Sequence, residues 1–475
     1  MEIFIPIDIF NEIFLFCDFL TKIRFRQISK FLYNNLHIID FYNIEKKILL
    51  KLTDDILKNH KFIKYLNASN NPKIKDVSWM KNLKELSADD ECGIDQFGIK
   101  GLDLIKLDAS DNVKITDVSW MKNLKELNAA GYYGINQLGI YGLNLIKLNA
   151  GYNPKIIDIN WMNNLKVLHA GGDCGINQSG IKGLDLIELD AGDNTKIIDI
   201  NWMKNLKQLH AYGNCGINQS GIKRLDLIKL NAGDNPKIID INWMKNLKQL
   251  HAYGECGIDQ TGINGLDLIK LNARDNPKIT DISFMKTLKE LDAHGECGID
   301  QTGINGLDLI KLNACDNPKI KDVSFMKNLK KLDADGVCGI DQSGIKGLDL
   351  IKLDARDNSK IIDINWMKNL KELFASGGSG IDQTGINGLD LIKLYAWDNP
   401  KIKDISWMLN LKELDASGYC GIDQLGIKGL DLIKLDADNN LKIINVGWMK
   451  NLKELHASRV IDQKIELKLN SFYKF

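Results

Sequence analysis

Hydrophobic residues recur along most of the chain in one short pattern, Leu-x-x-Leu-x-Ala, with polar residues at the remaining positions. The alanine of this pattern falls in two interleaved series, Ala68 to Ala437 and Ala88 to Ala457, each with a step of 41 residues. The two series make twenty units over about 63–457. Alternation of apolar and polar residues predicts one short strand per unit, and strands repeated in the same direction predict a parallel stack.

The units are of two alternating kinds. The first kind carries an asparagine three residues after the alanine, from Asn71 to Asn440, and we expect its side chain to bond backbone groups at a bend. The second kind carries glycines such as Gly257, Gly262 and Gly265, which indicate tight turns or a positive φ. Both kinds resemble the leucine-rich repeat, with alanine in place of its third leucine.

The amino-terminal residues 1–48 lack the repeat. Their apolar positions 9, 10, 13 and 14, and then 20, 23, 28, 31 and 32, have helical spacing, and Pro6 just precedes the first predicted helix. A helical unit this small buries little surface alone, so its apolar excess favours docking on the solenoid or on another protein.

This segment resembles an F-box. Pro6, Asp8 and Ile9 match the start of that motif, and a later run from Leu20 through Arg24 to Phe31 matches its second part. The resemblance implies that apolar side chains insert into the Skp adaptor of a ubiquitin ligase. The adaptor-binding candidates are Pro6, Ile9, Ile13, Leu20, Ile23 and Ile28. The alternative is a helical cap over the first repeat.

We therefore predict an α/β repeat solenoid: a curved leucine-rich-repeat array with a parallel β-sheet on its concave face, preceded by a small α-helical F-box-like domain. The expected boundaries are 1–48 for the F-box-like domain, 49–62 for a bridging helix, 63–457 for the solenoid and 458–475 for a carboxy-terminal cap.

Regular tryptophan, methionine and cysteine positions suggest chemistry at first sight. Eight tryptophans, including Trp243, lie eleven residues after the first-kind alanine and are each followed by methionine, and we interpret this stripe as core. Seven cysteines recur in the second kind, and copies two strands apart are too distant for a disulfide or a shared zinc ion. Buried free thiols are the prediction.

The residues on either side of the strand leucine and alanine should point outward, and in leucine-rich repeats they line the concave surface. Phe374, Tyr395 and Trp397 replace polar residues of the pattern there, with Arg356 nearby, and aromatic residues with arginine are typical of protein-binding hot spots. A weaker second cluster contains Tyr212, Tyr253 and Arg274, together with His294. For the group over 356–397, the alternative is repeat drift without function.

Composition narrows the function further. Lys plus Arg and Asp plus Glu are 62 each among 475 residues, which argues against a nucleic-acid or membrane partner held by charge. Neither a catalytic trio nor a metal-binding spacing stands out, so we expect no enzyme, cofactor or metal. No long apolar run or signal-peptide pattern is present, which favours a cytoplasmic or nuclear location.

The hypothesis from sequence is an F-box/leucine-rich-repeat adaptor that recruits a protein substrate to a cullin–RING ubiquitin ligase. The alternatives are a leucine-rich-repeat protein-binding scaffold with no ubiquitin link and a β-helix enzyme acting on a polysaccharide. The abundance of Ile, Lys and Asn resembles proteins of amoebae and their giant viruses, in which case the location is the host cell cytoplasm.

Overall fold

The computed structural model describes residues 7–458, apart from the side chain of Asp8. The predicted interface residue Pro6 and nearly all of the predicted cap, 458–475, lie outside the described residues. The chain forms two compact units, Met1–Leu227 and Ile228–Phe475. Each unit is built from turns of a parallel β-solenoid, in keeping with the predicted leucine-rich-repeat class.

The first unit begins with helices. Asp18, Ser29 and Thr53 each accept a backbone N–H of the following turn, which is the arrangement that starts a helix. Within 49–62, the segment predicted as a bridging helix, the Thr53 cap starts a helix that spans Asp54–Lys58, and the preceding helix ends at Leu49. The helices are α1 (Ile7–Phe16), α2 (Phe19–Gln27), α3 (Lys30–Asn35), α4 (Lys46–Leu49) and α5 (Asp54–Lys58).

The strands of the first unit pair in parallel, one per turn. A two-residue strand precedes the first repeat and pairs with it, Asp40 opposite Tyr65, so the sheet starts earlier than the repeat pattern does. The strands are β1 (Asp40–Phe41), β2 (Tyr65–Asn67), β3 (Glu85–Ser87), β4 (Lys106–Asp108), β5 (Glu126–Asn128), β6 (Lys147–Asn149), β7 (Val167–His169), β8 (Glu188–Asp190) and β9 (Gln208–His210).

The described residues of the second unit form twelve strands, with the same kind of parallel pairing. Equivalent residues face each other on neighbouring strands, as Leu271 faces Leu291. The strands are β10 (Lys229–Asn231), β11 (Gln249–His251), β12 (Lys270–Asn272), β13 (Glu290–Asp292), β14 (Lys311–Asn313), β15 (Lys331–Asp333), β16 (Lys352–Asp354), β17 (Glu372–Phe374), β18 (Lys393–Tyr395), β19 (Glu413–Asp415), β20 (Lys434–Asp436) and β21 (Glu454–His456).

Two polar side chains tie each turn to the next. Asn276, fully buried, donates from Nδ2 to the carbonyls of Ala252 (2.7 Å) and Ile258 (3.1 Å), which confirms the expected asparagine ladder. The second side chain is a glutamine that the pattern did not single out. Gln260 donates to the Asp281 carbonyl (2.7 Å), and its Oε1 accepts the Asp281 N–H (2.8 Å). Buried backbone groups at the bends are thereby satisfied.

The recurring glycines and aspartates of the turns are explained by the backbone conformation and by the close packing of neighbouring turns. Gly265 has a φ of +71°, as expected for a positive-φ glycine, whereas Gly262 has no positive φ. A Cβ at Gly262 would instead collide with the Ile239 carbonyl oxygen, so close packing of two turns requires this glycine. Asp234 adopts the left-handed region at φ 54°, and its Oδ1 accepts the Glu255 N–H (3.1 Å), which explains the recurring aspartate.

The tryptophan stripe is not the core filling that the sequence suggested. Met80 to Met449 are buried, whereas the tryptophans are half-buried, and Trp407 remains 36% exposed. Trp366 donates its indole N–H to the Leu348 carbonyl of the preceding turn at 3.0 Å. The core prediction holds for the methionines and was wrong for the tryptophans, whose rings lie at the edge of the core, where the indole N–H reaches a carbonyl of the preceding turn.

Candidate functional site

The face of the sheet that carries the first and third residue of each strand is called the strand face here. Its first-position residues mostly alternate lysine with glutamate or glutamine, and oppositely charged ones pair across strands, as in Lys270–Glu290 (2.9 Å) and Lys393–Glu413 (2.8 Å). These side chains are about a third or more exposed, so each pair contributes only about 0.5 kcal/mol. In most turns, these lysine–glutamate pairs are therefore a solvent-exposed row that adds little to stability.

The alternation breaks on β14–β16. Lys331 stands where a glutamate is expected, and the parallel register places it directly between Lys311 and Lys352. The strand face from β11 to β16 forms a hollow of 430 Å³, lined by these lysines and by the neighbouring aspartates Asp333 and Asp354. Adjacent like charges repel one another and oppose folding. Here three lysines lie side by side on neighbouring strands without a glutamate between them.

An arginine lies among the carboxylates next to this hollow. Arg356 donates from Nε and Nη2 to Asp354 at 2.9 and 2.8 Å, and its Nη2 lies 3.2 Å from Asp335. Asp354 is buried, whereas Asp333 beside it has no such direct partner among the contacts of the described residues. Burial first, and then the neighbouring Asp354 charge, raise the pKa of Asp333 to about 6.

The aromatic patch is the group Phe374, Tyr395 and Trp397. The rings of Phe374 and Tyr395 stack with centroids 4.3 Å apart and planes 6° apart. Lys352 Nζ lies 4.6 Å and the Arg356 guanidinium 5.5 Å from the Phe374 centroid, so two cations cover this ring. The structure thus brings Arg356, Phe374 and Tyr395 into one contact group.

Trp397 completes the patch without joining the stack. It follows Tyr395 by two residues, is 37% exposed and has no ring contact with either partner within residues 7–458. Tyr395 is held from its other end, because its hydroxyl donates to Glu413 at 3.2 Å. Sequence reasoning did not single out Glu413 or Lys352, although Lys331 was visible as a break in the lysine–glutamate alternation.

The second predicted cluster has a plainer geometry. The Arg274 guanidinium lies 5.1 Å from the Tyr253 ring centroid, and Arg274 also pairs with Asp275 at 3.5 Å. The Tyr253 ring occupies the space that a Cβ at Gly233 would fill, and Tyr212 has the same relation to Gly192 in the first unit. These tyrosines therefore cover glycines of the preceding turn. His294 pairs with Asp292 at 2.7 Å.

The helical head is defined as α1–α3. Phe14 is buried and lies near the Phe25 ring at 6.3 Å, so one side of the head forms a small core. Other large apolar side chains of the head are exposed. Among the predicted interface residues, Ile23 is partly buried, and the exposed ones are Ile9 (47%), Ile13 (47%), Leu20 (42%) and Ile28 (68%). Phe16, which was not predicted, is 93% exposed.

The cysteines form no disulfide, and the seven at the recurring position of the repeat are buried thiols. All nine are free, and the seven of the repeat are buried. Burial is the largest cause that raises the pKa of Cys256 to about 11. Within the described part of the chain, no group of three or more His, Cys, Asp or Glu side chains could hold a metal ion. None of the helices in that part is long and apolar enough to span a bilayer.

Comparison with known proteins gives structural likenesses only. No protein-family model and no curated protein matches the chain. Among solved structures, the TLR13–ssRNA13 complex aligns over 85% of this chain and 79% of that chain, with 16% identity and a TM-score of 0.44. The mouse RP105/MD-1 complex aligns over 91% and 80%, with 15% identity and a TM-score of 0.39.

A third likeness is to the functional domain of InlJ from Listeria monocytogenes, described as including a cysteine ladder. It covers 82% of this chain and 72% of that chain, at 17% identity and a TM-score of 0.32. Scores and identities of this size assign neither a partner nor a function. The solenoid fold of this chain rests on its own strand pairing, asparagine ladder and repeat.

Proposed function

We propose that this chain is a non-enzymatic, protein-binding solenoid, with the strand face of β14–β19 as its recognition surface. The observation that carries the proposal is the stack of Phe374 on Tyr395 beneath two cations, next to a half-exposed Trp397. Rigid aromatic groups with arginine are the residues that contribute most to protein–protein binding energy. Glu413 holds the Tyr395 hydroxyl and Asp354 holds the Arg356 guanidinium, so these two side chains are preorganised for a partner.

A protein fits this surface better than a nucleic acid does. The lysines of the hollow lie beside Asp333, Asp335 and Asp354, whose negative charge would repel a phosphate backbone. A protein partner can supply both signs of charge and an apolar side chain for the aromatic patch. The patch therefore supports the scaffold interpretation without any link to ubiquitin.

The test is quantitative affinity capture with the full chain. The triple variant Phe374→Ala, Tyr395→Ala and Trp397→Ala is compared with wild type and with Tyr419→Ala, an 88% exposed tyrosine of the same unit outside the patch. Proteins captured by wild type and by Tyr419→Ala, but depleted at least about tenfold by the triple variant, would support the proposal. Equal capture by all three chains would refute it, provided circular dichroism shows the same fold.

A second candidate is an F-box-like adaptor, favoured by the exposed apolar side chains of the helical head. Ile9, Ile13 and Ile28 are each about half or more exposed, which is unfavourable unless another surface covers them. In this proposal the head binds a Skp-type adaptor and the solenoid presents a protein substrate to a cullin–RING ligase. The exposed apolar side chains support a protein interface on the head, and the F-box resemblance supplies the partner.

Purified Skp-type adaptor tests this candidate directly. We expect wild type to bind it and the variant Ile13→Asp with Ile28→Asp to lose at least about a hundredfold in affinity, because charges would enter an apolar interface. Leu138→Asp, at a 79% exposed leucine in a solenoid turn, is the matched control and should bind normally. No binding by wild type would eliminate the ubiquitin link and leave the scaffold proposal intact.

We also propose an intracellular location, in the cytoplasm or nucleus. Support comes from nine free cysteines, which an oxidising compartment would expose to pairing or modification. Imaging of a fluorescent fusion in eukaryotic cells, with the thiol state measured by alkylation, tests this. Accumulation in the secretory pathway would contradict it.

A further inference from the structure

A pocket of 340 Å³ lies between the helical head and the chain that follows it. Its wall is built from α2 and α3, from the residues before β1, and from the end of α5. The titratable side chains that line it are Arg26, Tyr33, His37, Lys58, His60 and Lys61, so the lining contains basic groups and no carboxylate.

Arg26 is the unusual member. Only 7% of the residue is exposed, yet no carboxylate among the described residues pairs with it. Nη2 donates to the Tyr33 carbonyl (3.0 Å) and Nη1 contacts His60 Nδ1 (3.3 Å), while Nε has no partner. A guanidinium has five N–H donors, so two of them are used and three remain. Burying a charge without a counter-ion is unfavourable, which makes the site incomplete as it stands.

Neighbouring groups fix the guanidinium in place. The Tyr33 ring lies 4.5 Å from the Arg26 Cζ atom, and the His60 ring packs edge-on against Phe41 at 5.0 Å. Burial and the Arg26 charge lower the pKa of His60 to about 4, so the imidazole is neutral at pH 7 and accepts from Arg26 through Nδ1. The imidazole proton is then on Nε2.

We propose that this Arg26 pocket binds an oxyanion, a phosphate or carboxylate group, through the free guanidinium donors. Planar guanidinium groups bind such anions with two parallel hydrogen bonds, and low local exposure strengthens them. Lys58 and Lys61, both exposed at the pocket, add positive charge that favours entry of an anion. None of the residues that line this pocket belongs to a strand of the sheet, and Ile9, Ile13 and Ile28 are not among them.

The experiment titrates the full chain with inorganic phosphate and, separately, with acetate, and follows the His60 imidazole signals by NMR. Sodium chloride at matched ionic strength is the control for screening. We expect a saturable shift of His60 with at least one oxyanion and none with chloride. A response to phosphate alone assigns the phosphate group, and a response to acetate shows that a carboxylate suffices.

Two arginines on the same helix provide matched variants. Arg26→Gln should weaken oxyanion binding at least about tenfold, whereas Arg24→Gln, at an exposed position of α2, should change it less than about twofold. If Arg26→Gln loses helical signal in circular dichroism, Arg26→Lys and the wild-type titration decide instead. Absence of a saturable His60 shift in wild type, or binding unaffected by both Arg26 variants, would overturn the proposal and leave Arg26 a purely structural link.

Discussion

Asp333 lies directly beside Asp354 on the neighbouring parallel strand, and only Asp354 is neutralised by the bidentate contact with Arg356. The pair concentrates negative charge next to the aromatic patch. Its consequence for stability can be tested, because burial together with Asp354 raises the pKa of Asp333 to about 6 from an ordinary value of 3.8.

The folded chain therefore binds a proton at Asp333 more tightly than the unfolded chain does. Between about pH 4 and 6 the folded state retains this proton while the unfolded state releases it, so this group makes stability fall as pH rises. We expect Asp333→Asn to raise the free energy of unfolding at pH 7 by roughly 1 kcal/mol, a value reduced for solvent screening on a partly exposed face.

Urea unfolding between pH 4 and 7 measures this effect. The control is Asp108→Asn on β4, which has the same backbone contact to the residue two positions later but is flanked by Ser87 and Asn128 instead of aspartate. A destabilised Asp333→Asn chain at pH 7, or the same gain in both variants, would contradict the argument.

The asparagine ladder should dominate the stability of each turn. Asn276→Ala removes two donated bonds and the bond that Oδ1 accepts from the Lys278 N–H at 2.9 Å, and it leaves buried carbonyls unsatisfied. We expect a loss of about 3 kcal/mol. Asn272→Ala on the strand face, which removes one bond to the Arg274 N–H, should lose about 0.5 kcal/mol. Chemical denaturation that gives equal losses would show that the ladder is not special.

Because the tryptophans of the stripe are partly exposed, substituting one of them should cost less stability than truncating a core residue. Trp366→Phe removes the indole N–H that binds the Leu348 carbonyl but keeps most of the apolar contact. A loss of about 1 kcal/mol is expected, since Phe284 and Phe325 already occupy the equivalent position in two turns. Thermal unfolding followed by circular dichroism provides the measurement. A loss as large as that of a core truncation, about 3 kcal/mol or more, would mean that the tryptophan belongs to the core after all.

Thiol reactivity should separate the cysteines of the repeat from Cys17. Burial raises the pKa of Cys92, Cys256 and Cys420 to about 11, so at pH 8 almost none of these groups is thiolate. Cys17 directly follows α1 and is partly exposed. Iodoacetamide on the native chain, followed by peptide mapping, should label Cys17 first, and the repeat cysteines only after denaturation. Rapid native labelling of the repeat cysteines would contradict this.

The strand face shows where sequence reasoning reached its limit. Phe374, Tyr395 and Trp397 stood out because they break a repeat, and the parallel register then made Phe374 and Tyr395 neighbours. The sequence pattern did not show that the Phe374 and Tyr395 rings stack while the Trp397 ring lies apart from them; only the structure shows this. The burial of Arg26 was equally invisible in the pattern, because one of its contacts, His60, lies 34 positions further along the chain.

The sequence by itself determined the period, the strand in every turn, the parallel direction and the buried asparagines, because each follows from local alternation repeated at a constant step. Tertiary structure decided which large side chains fill the interior, how the carboxylates share Arg356, and where charge lies buried without a partner. Those outcomes depend on distances between side chains of different turns. The tryptophan and arginine side chains lie where their N–H donors reach acceptors. For the tryptophans that place is the edge of the core, and for Arg26 it is a basic pocket in which the Tyr33 carbonyl and His60 accept its hydrogen bonds.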